Sequence, residues 1–232
     1  MAVVGKSLED VVYQAESEGY QLDKRPNKLN LIGIRDAKDT TSLTFDDVIA
    51  YFYWDDNGKL QGKVAPGTTS PSKYWLENPM NSAGAAILKS GQYKDTWGIG
   101  MHRGKYEALT EKKPVTVMRD DDRNSYLDFF APTTTGTYGI NIHRASRGKD
   151  NVTYIDKDSA GCQVFRDEAD FNEMMSLARI SRGIYGNEFT YTLIDNRDVI
   201  KKIRNFSIVG VVLVGLSAYM YFLYKKGIIF KK

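Results

Sequence analysis

The chain has one cysteine, two histidines and six prolines in 232 residues. A single cysteine excludes an intrachain disulfide framework. No phosphate loop, no glycine-rich dinucleotide motif and no HExxH zinc motif occurs. Neither charge sign dominates: 32 Lys and Arg stand against 29 Asp and Glu, a net of +3. Most of that excess sits beside one apolar run near the C-terminus, so no nucleic-acid surface is inferred. No internal repeat or low-complexity tract is present. The opening, MAVVGKSLED, has no apolar stretch of the length an export signal needs. At this length the chain suits one domain with a short appendage. Its 15 tyrosines favour a β-rich domain.

The one cysteine, Cys162, follows Ser159, Ala160 and Gly161, and His143 lies upstream at the end of Gly-Ile-Asn-Ile-His. A thiol attacks as its thiolate, which needs a partner for its proton, and imidazole has the pKa for that task. Gly161 permits a tight turn, so that the amides of Gly161 and Cys162 can face a developing oxyanion. A catalytic thiol of this kind is expected to react with alkylating probes below pH 7, and a core thiol to resist them. His102, in Gly-Met-His-Arg-Gly, either lines the same cleft or is structural at a strand end. Zinc held by His102, His143 and Cys162 is conceivable by ligand type, but the spacing matches no common pattern, so no metal and no cofactor is expected.

Fifteen residues, 144–158, separate His143 from Ser159. A histidine ending a strand, an irregular connection of about this length and then Ser-X-Gly-Cys resemble the signature of the L,D-transpeptidase catalytic domain, over roughly residues 136–165. The resemblance implies a mainly β (α+β) sandwich and a Cys–His site acting on peptidoglycan stem peptides. Cys162 would be the nucleophile and His143 the base, with Ser159, Ala160 and Gly161 shaping the turn. Arg144 stands where the family commonly has glycine, and Ala160 where it has histidine or arginine. Gln163 and Val164 stand where an aliphatic residue and then arginine or asparagine are usual. These departures bear on substrate-carboxylate binding more than on the nucleophile. Arg144 and Gln163, with His102, are the further residues expected at the cleft.

The run 206–224, from Phe206 to Tyr224, contains no charged residue. As a helix it would be about 28 Å long, close to the hydrocarbon thickness of a bilayer. Lys201, Lys202 and Arg204 precede it, and Lys225, Lys226, Lys231 and Lys232 follow. The expectation is a single-pass C-terminal anchor in the lipid bilayer. Peptidoglycan lies outside the cytoplasmic membrane, so an anchored wall enzyme without an export signal suggests delivery by a virus particle, a role in lysis beside other virion or lysis proteins, or translocation directed by the C-terminal span alone.

The expected organisation is a helix and lead-in over 1–27, a β-rich catalytic-like domain over 28–195, a basic linker over 196–205, the span over 206–224 and a basic tail over 225–232. Ser7 caps a first helix with Leu8, Val11, Val12 and Ala15 on one face. Strands are expected at 28–34, 47–54, 59–64, 97–102, 114–119, 126–130, 138–143 and 187–194. Asn57-Gly58 marks a hairpin with both residues at positive φ. Residues 66–82 read as a loop. Asp167 caps a helix to about Ile180, with Phe171, Met174, Met175 and Ala178 on one face. The acidic run 120–122 reads as a solvated turn rather than a calcium loop, and 151–153 fits a glycosylation sequon.

Two functions follow. One is a membrane-anchored cysteine acyltransferase or peptidase acting on peptidoglycan. The other is a non-enzymatic structural or wall-binding protein in which Cys162 only packs.

Overall fold

The computed structural model describes residues 5–145 and 153–196. The first helix, α1 (Leu8–Ser17), starts where sequence places it. Ser7 Oγ accepts from the Asp10 N–H at 3.1 Å and Asp10 Oδ2 accepts from the Ser7 N–H at 3.2 Å, a reciprocal cap. Val11 and Ala15 are buried.

Eleven strands follow among the described residues. In chain order they are β1 (Asn30–Arg35), β2 (Asp47–Trp54), β3 (Leu60–Thr68), β4 (Ala85–Leu88), β5 (Gly91–His102), β6 (Tyr106–Glu111), β7 (Val115–Asp120), β8 (Thr133–Gly136), β9 (Ile142–Arg144), β10 (Gln163–Phe165) and β11 (Phe189–Asp195). Two more helices intervene, α2 (Lys73–Glu77) and α3 (Glu168–Tyr185). Eight strands close a barrel in the order β1-β11-β5-β6-β9-β10-β3-β2, and β4, β7 and β8 form a separate sheet.

This corrects the expected sandwich. β11 pairs with β1 in parallel and with β5 antiparallel, so the last strand lies beside the first. The three-residue strands β9 and β10 pair in parallel and close the remaining gap between β6 and β3. Closure leaves the barrel without edges. Leu31, Tyr51, Trp97, Leu109, Ile142, Phe165 and Tyr191 belong to the main core, with Phe171, Met174, Met175 and Ala178 of α3. A second core, including Leu76, Ile87, Met118 and Phe129, packs at the smaller sheet.

Local differences have local causes. The β2–β3 turn runs over residues 55–59, with the Asp55 N–H bonded to Lys59 O and the Gly58 N–H to Asp55 O. Gly58 alone is at positive φ there, because Asp55 Oδ1 accepts the Asn57 and Lys59 amides and shapes a wider turn. Residues 66–82 are not one loop: β3 continues to Thr68 and α2 follows. Residues 126–130 form no strand; Asp128 and Asn124 side chains cap the backbone of a turn there. The expected strand 138–143 survives only as β9.

The chain divides into two units, Met1–Asn196 and Arg197–Lys232. No helix among the described residues is long and apolar enough to cross a membrane. The expected membrane-spanning helix, and with it the expected single-pass localisation, therefore has no counterpart among the described residues. The run 206–224, the linker and the tail lie outside the described residues, as does most of the sequon.

Asp46 sits beside Asp36, Asp39 and Asp47 in a small recess. Burial, then the charge of Asp47, push its carboxyl up to about 8. The fold therefore favours the neutral acid. That stabilisation is complete below about pH 4 and is lost as pH rises towards 8. Asp46→Asn is expected to raise Tm clearly at pH 8.5 and hardly at all at pH 4, as thermal melts would show. Equal shifts at both pH values would contradict this.

Candidate active site

The parallel register Gln163↔Ile142, Val164↔His143 aligns the cysteine turn with the histidine strand. Ile142 and Phe165 join the main core. Alternation sends Asn141, His143, Cys162 and Val164 to the opposite face. There Val164 packs with Phe45, Ala145 and Ile155, with Cys162 against them. Cys162 and His143 are thus diagonal neighbours on adjacent strands, across a pairing only three residues long.

Ser159 and Gly161 build the turn. The Ser159 hydroxyl lies 2.8 Å from both the Ser70 and the Cys162 carbonyls, donating to one or the other, and accepts from the Gly161 N–H at 3.2 Å. The Gly161 amide is therefore engaged, so of the two amides named from sequence it is not the free one. Gly161 has φ 123°, and a Cβ there would stand 2.3 Å from Ala86 O. Ala160 lines the cleft onto which Cys162 opens.

Cys162 Sγ accepts from the Asn141 N–H at 3.4 Å and donates to Gly139 O at 3.6 Å. Burial pushes the thiol up to about 11, so the expected thiolate below pH 7 is not the resting state. His143 is buried, and burial with the neighbouring His102 pushes its imidazole down to about 3. Its Nδ1 lies 2.7 Å from the Arg144 carbonyl and 3.5 Å from the Tyr106 hydroxyl. A carbonyl only accepts, so Nδ1 carries the proton and Nε2 bears the lone pair, the tautomer a general base needs.

His102 is the residue sequence left undecided. Its ring stacks on His143, centroids 4.2 Å apart and planes 25° apart. Asn141 Oδ1 accepts from the Glu111 N–H, which turns Nδ2 towards His102 Nδ1 at 3.0 Å. His102 Nδ1 is therefore the acceptor. Burial, then Arg103, hold its pKa down to about 4. Unfolded imidazole takes its proton near 6.5 and these two only at 3–4. Their contribution to stability is present above pH 6.5 and is lost as pH falls through that window.

Two clefts meet at His102 and Arg103. One, of about 420 Å³, receives Cys162; the other, of about 800 Å³, receives His143 and Arg144. Arg144 pairs with Glu168 and lies over the Tyr106 ring, 4.4 Å from its centroid. Gln163 is not at either cleft. It projects with the core side chains, accepting from Tyr191 OH at 2.9 Å and lying 3.4 Å from Thr69 O. No cluster of three metal-ligating side chains occurs among the described residues.

Glu111 was not legible in sequence. Its carboxylate accepts the Tyr138 and Ile140 amides, at 3.1 and 2.7 Å, and so shapes the loop whose Gly139 carbonyl holds the thiol. Glu111→Ala strands those amides and is expected to cost about 2 kcal/mol and to slow any thiol-dependent turnover. Denaturant unfolding checks the first effect, and an unchanged midpoint would refute it.

No family model matches the chain, and no curated protein matches it.

Proposed function

We propose that the protein is a cysteine acyltransferase or peptidase acting on peptidoglycan stem peptides. The observation that carries this is the β9–β10 register. It sends the only cysteine and a buried histidine whose Nε2 bears the lone pair to one face, the thiol lining one cleft and the imidazole the adjoining one. The peptidoglycan assignment rests on the Ser-X-Gly-Cys resemblance.

In this reading the thiol leaves Gly139 O and gives its proton to His143 Nε2 as sulfur bonds to the substrate carbonyl carbon. The oxyanion is met by the Cys162 N–H, since Gly161's is engaged. The tetrahedral species then breaks its C–N bond. The amine leaves with the proton from His143, and a thioester remains. Water attack completes hydrolysis; amine attack completes transpeptidation. Because thiol and imidazole are both neutral at rest, the proton moves with the attack and not before it.

The test is mass spectrometry of muropeptides after sacculi are incubated with the full chain and with Cys162→Ala. New products that need the cysteine support the reading, and their masses separate hydrolysis from cross-linking. Unchanged sacculi across several wall chemotypes, with folded protein, would refute it.

One observation favours a second reading. Among the described residues the hydrogen-bond partners of Sγ are the Asn141 amide and the Gly139 carbonyl, not His143. A wall-binding module with an unused thiol fits that resting arrangement. It predicts sacculus binding that survives Cys162→Ala and no product.

A further inference from the structure

Arg119, on β7, is a buried cation with neutral partners only. It is 8% exposed. Its Nε donates to Thr134 Oγ1 at 3.2 Å and its Nη1 to the Gly84 carbonyl at 3.3 Å. The guanidinium lies over the Tyr138 ring, 4.3 Å from its centroid. Among the described residues no carboxylate pairs with it, and Nη2 has no hydrogen bond. A guanidinium does not discharge in a protein, so burying one unpaired is costly. The other buried arginines are placed differently: Arg144 has Glu168, and Arg35 has the charge of Asp47 nearby.

The position of Arg119 ties it to the thiol. Arg119 stands directly opposite Ala86 in the β4–β7 ladder, and cross-strand partners share a face. The Ala86 carbonyl and methyl are the atoms that crowd Gly161, one residue before Cys162. Arg119 and Cys162 accordingly line one cleft. Arg103 adds a second positive charge to that lining, and no Asp or Glu belongs to it. The neighbouring cleft is mixed, with Glu107, Asp156, Asp158 and Glu168 among its basic residues.

We infer that Arg119 is a specificity residue that binds a carboxylate of the peptide whose carbonyl meets Cys162, through the free Nη2 edge of its guanidinium. The inference rests on the peptidase reading for the role of that peptide but not for the binding itself. Substrate in this cleft carries a free carboxylate beside the bond attacked, and the amidated form is a poor ligand. The neutral ties to Thr134 and Gly84 hold the guanidinium in place before the ligand arrives, which lowers the ordering cost.

The test uses the full chain carrying Cys162→Ala and two synthetic stem tetrapeptides, one with free carboxylates on its side branches and one with these as carboxamides. Titration calorimetry is expected to show the carboxylate form binding about ten- to a hundredfold more tightly. Added KCl should narrow the gap, Arg119→Gln should remove it and Arg119→Lys should keep part of it. Equal affinities, no binding of either peptide, a gap insensitive to salt, or a gap that survives Arg119→Gln would each overturn the inference. If Arg119→Gln fails to fold, the two peptides and the salt series on intact Arg119 still decide. Acyl-enzyme mass measured on the unaltered chain separates the two ideas. Selective binding with no thioester sinks the peptidase reading and leaves this inference standing. Thioester formed equally from both peptides does the reverse.

Discussion

Replacing His143 by alanine is expected to lower the rate of thioester formation by about 10²–10⁴-fold. In the proposed mechanism this removes the base, and with it the ring on which His102 stacks. The pH profile separates these roles. In the unaltered protein the imidazole is held near 3 and the thiol near 11. Above about pH 3 His143 is neutral and competent, so the rate should be flat across the neutral range rather than rising through 6–7. In His143→Ala the proton must go to solvent, so the rate should climb with each pH unit towards the thiol pKa. A rise with a midpoint near 6.5 in the unaltered protein would contradict the buried, neutral imidazole. Iodoacetamide gives an independent check. With the thiol near 11, alkylation at pH 7 should run on the order of ten- to thirtyfold slower than for an ordinary cysteine, since the smaller thiolate fraction outweighs its greater nucleophilicity.

Gly161→Ala is the second large effect. The added methyl would stand 2.3 Å from the Ala86 carbonyl, with the backbone at φ 123°. Neither neighbour can yield easily, because Ala86 is held in the β4–β7 ladder and Ser159 pins the turn from the other side. The combined strain is expected to cost about 3 kcal/mol or more. Equilibrium urea unfolding should show the loss with little change in slope. Thiol-dependent turnover should fall with it, because the turn that aims Cys162 must move. Gly139→Ala is the control: nothing lies within 4 Å of a Cβ there, though φ is 73°. It should cost less than Gly161→Ala. Equal costs would mean that the carbonyl contact is not what requires glycine at 161.

Local signals suffice where the residues themselves supply the energy. Ser7 and Asp10 cap α1 through bonds three residues apart, and the Phe171–Met174–Met175–Ala178 face of α3 is buried as its spacing implies. The apolar, aromatic-rich run 47–54 forms β2, buried from Asp47 to Phe52. The same signal failed at 126–130, where Asp and Asn side chains offer the backbone a turn instead. It was silent for β4, β8 and β10, which are three or four residues long and hold their place only by pairing with other strands.

Within the site, residue type and chain order singled out Cys162, His143, Ser159 and Gly161, because scarcity and a small-residue turn are properties of sequence. Gln163 was expected at the cleft and instead serves the core through Tyr191, since side chains alternate along a strand and only register says which face is which. Glu111 and Arg119 come from β6 and β7, and nothing near them in the chain marks them as neighbours of a thiol; His102, from β5, is a candidate in sequence, but its stacking on His143 is set by the fold. The sequence by itself determined a β-rich chain with helices at α1 and α3 and a thiol after a glycine turn, all set by contacts within a few residues. Only the tertiary structure decided that the strands close a barrel, that two imidazoles stack, and that an unpaired guanidinium shares a cleft with Cys162. Those depend on pairings 20 to 160 residues apart, such as Gln163↔Ile142 and Leu31↔Tyr191, whose loop-closure cost is met only when the whole core assembles.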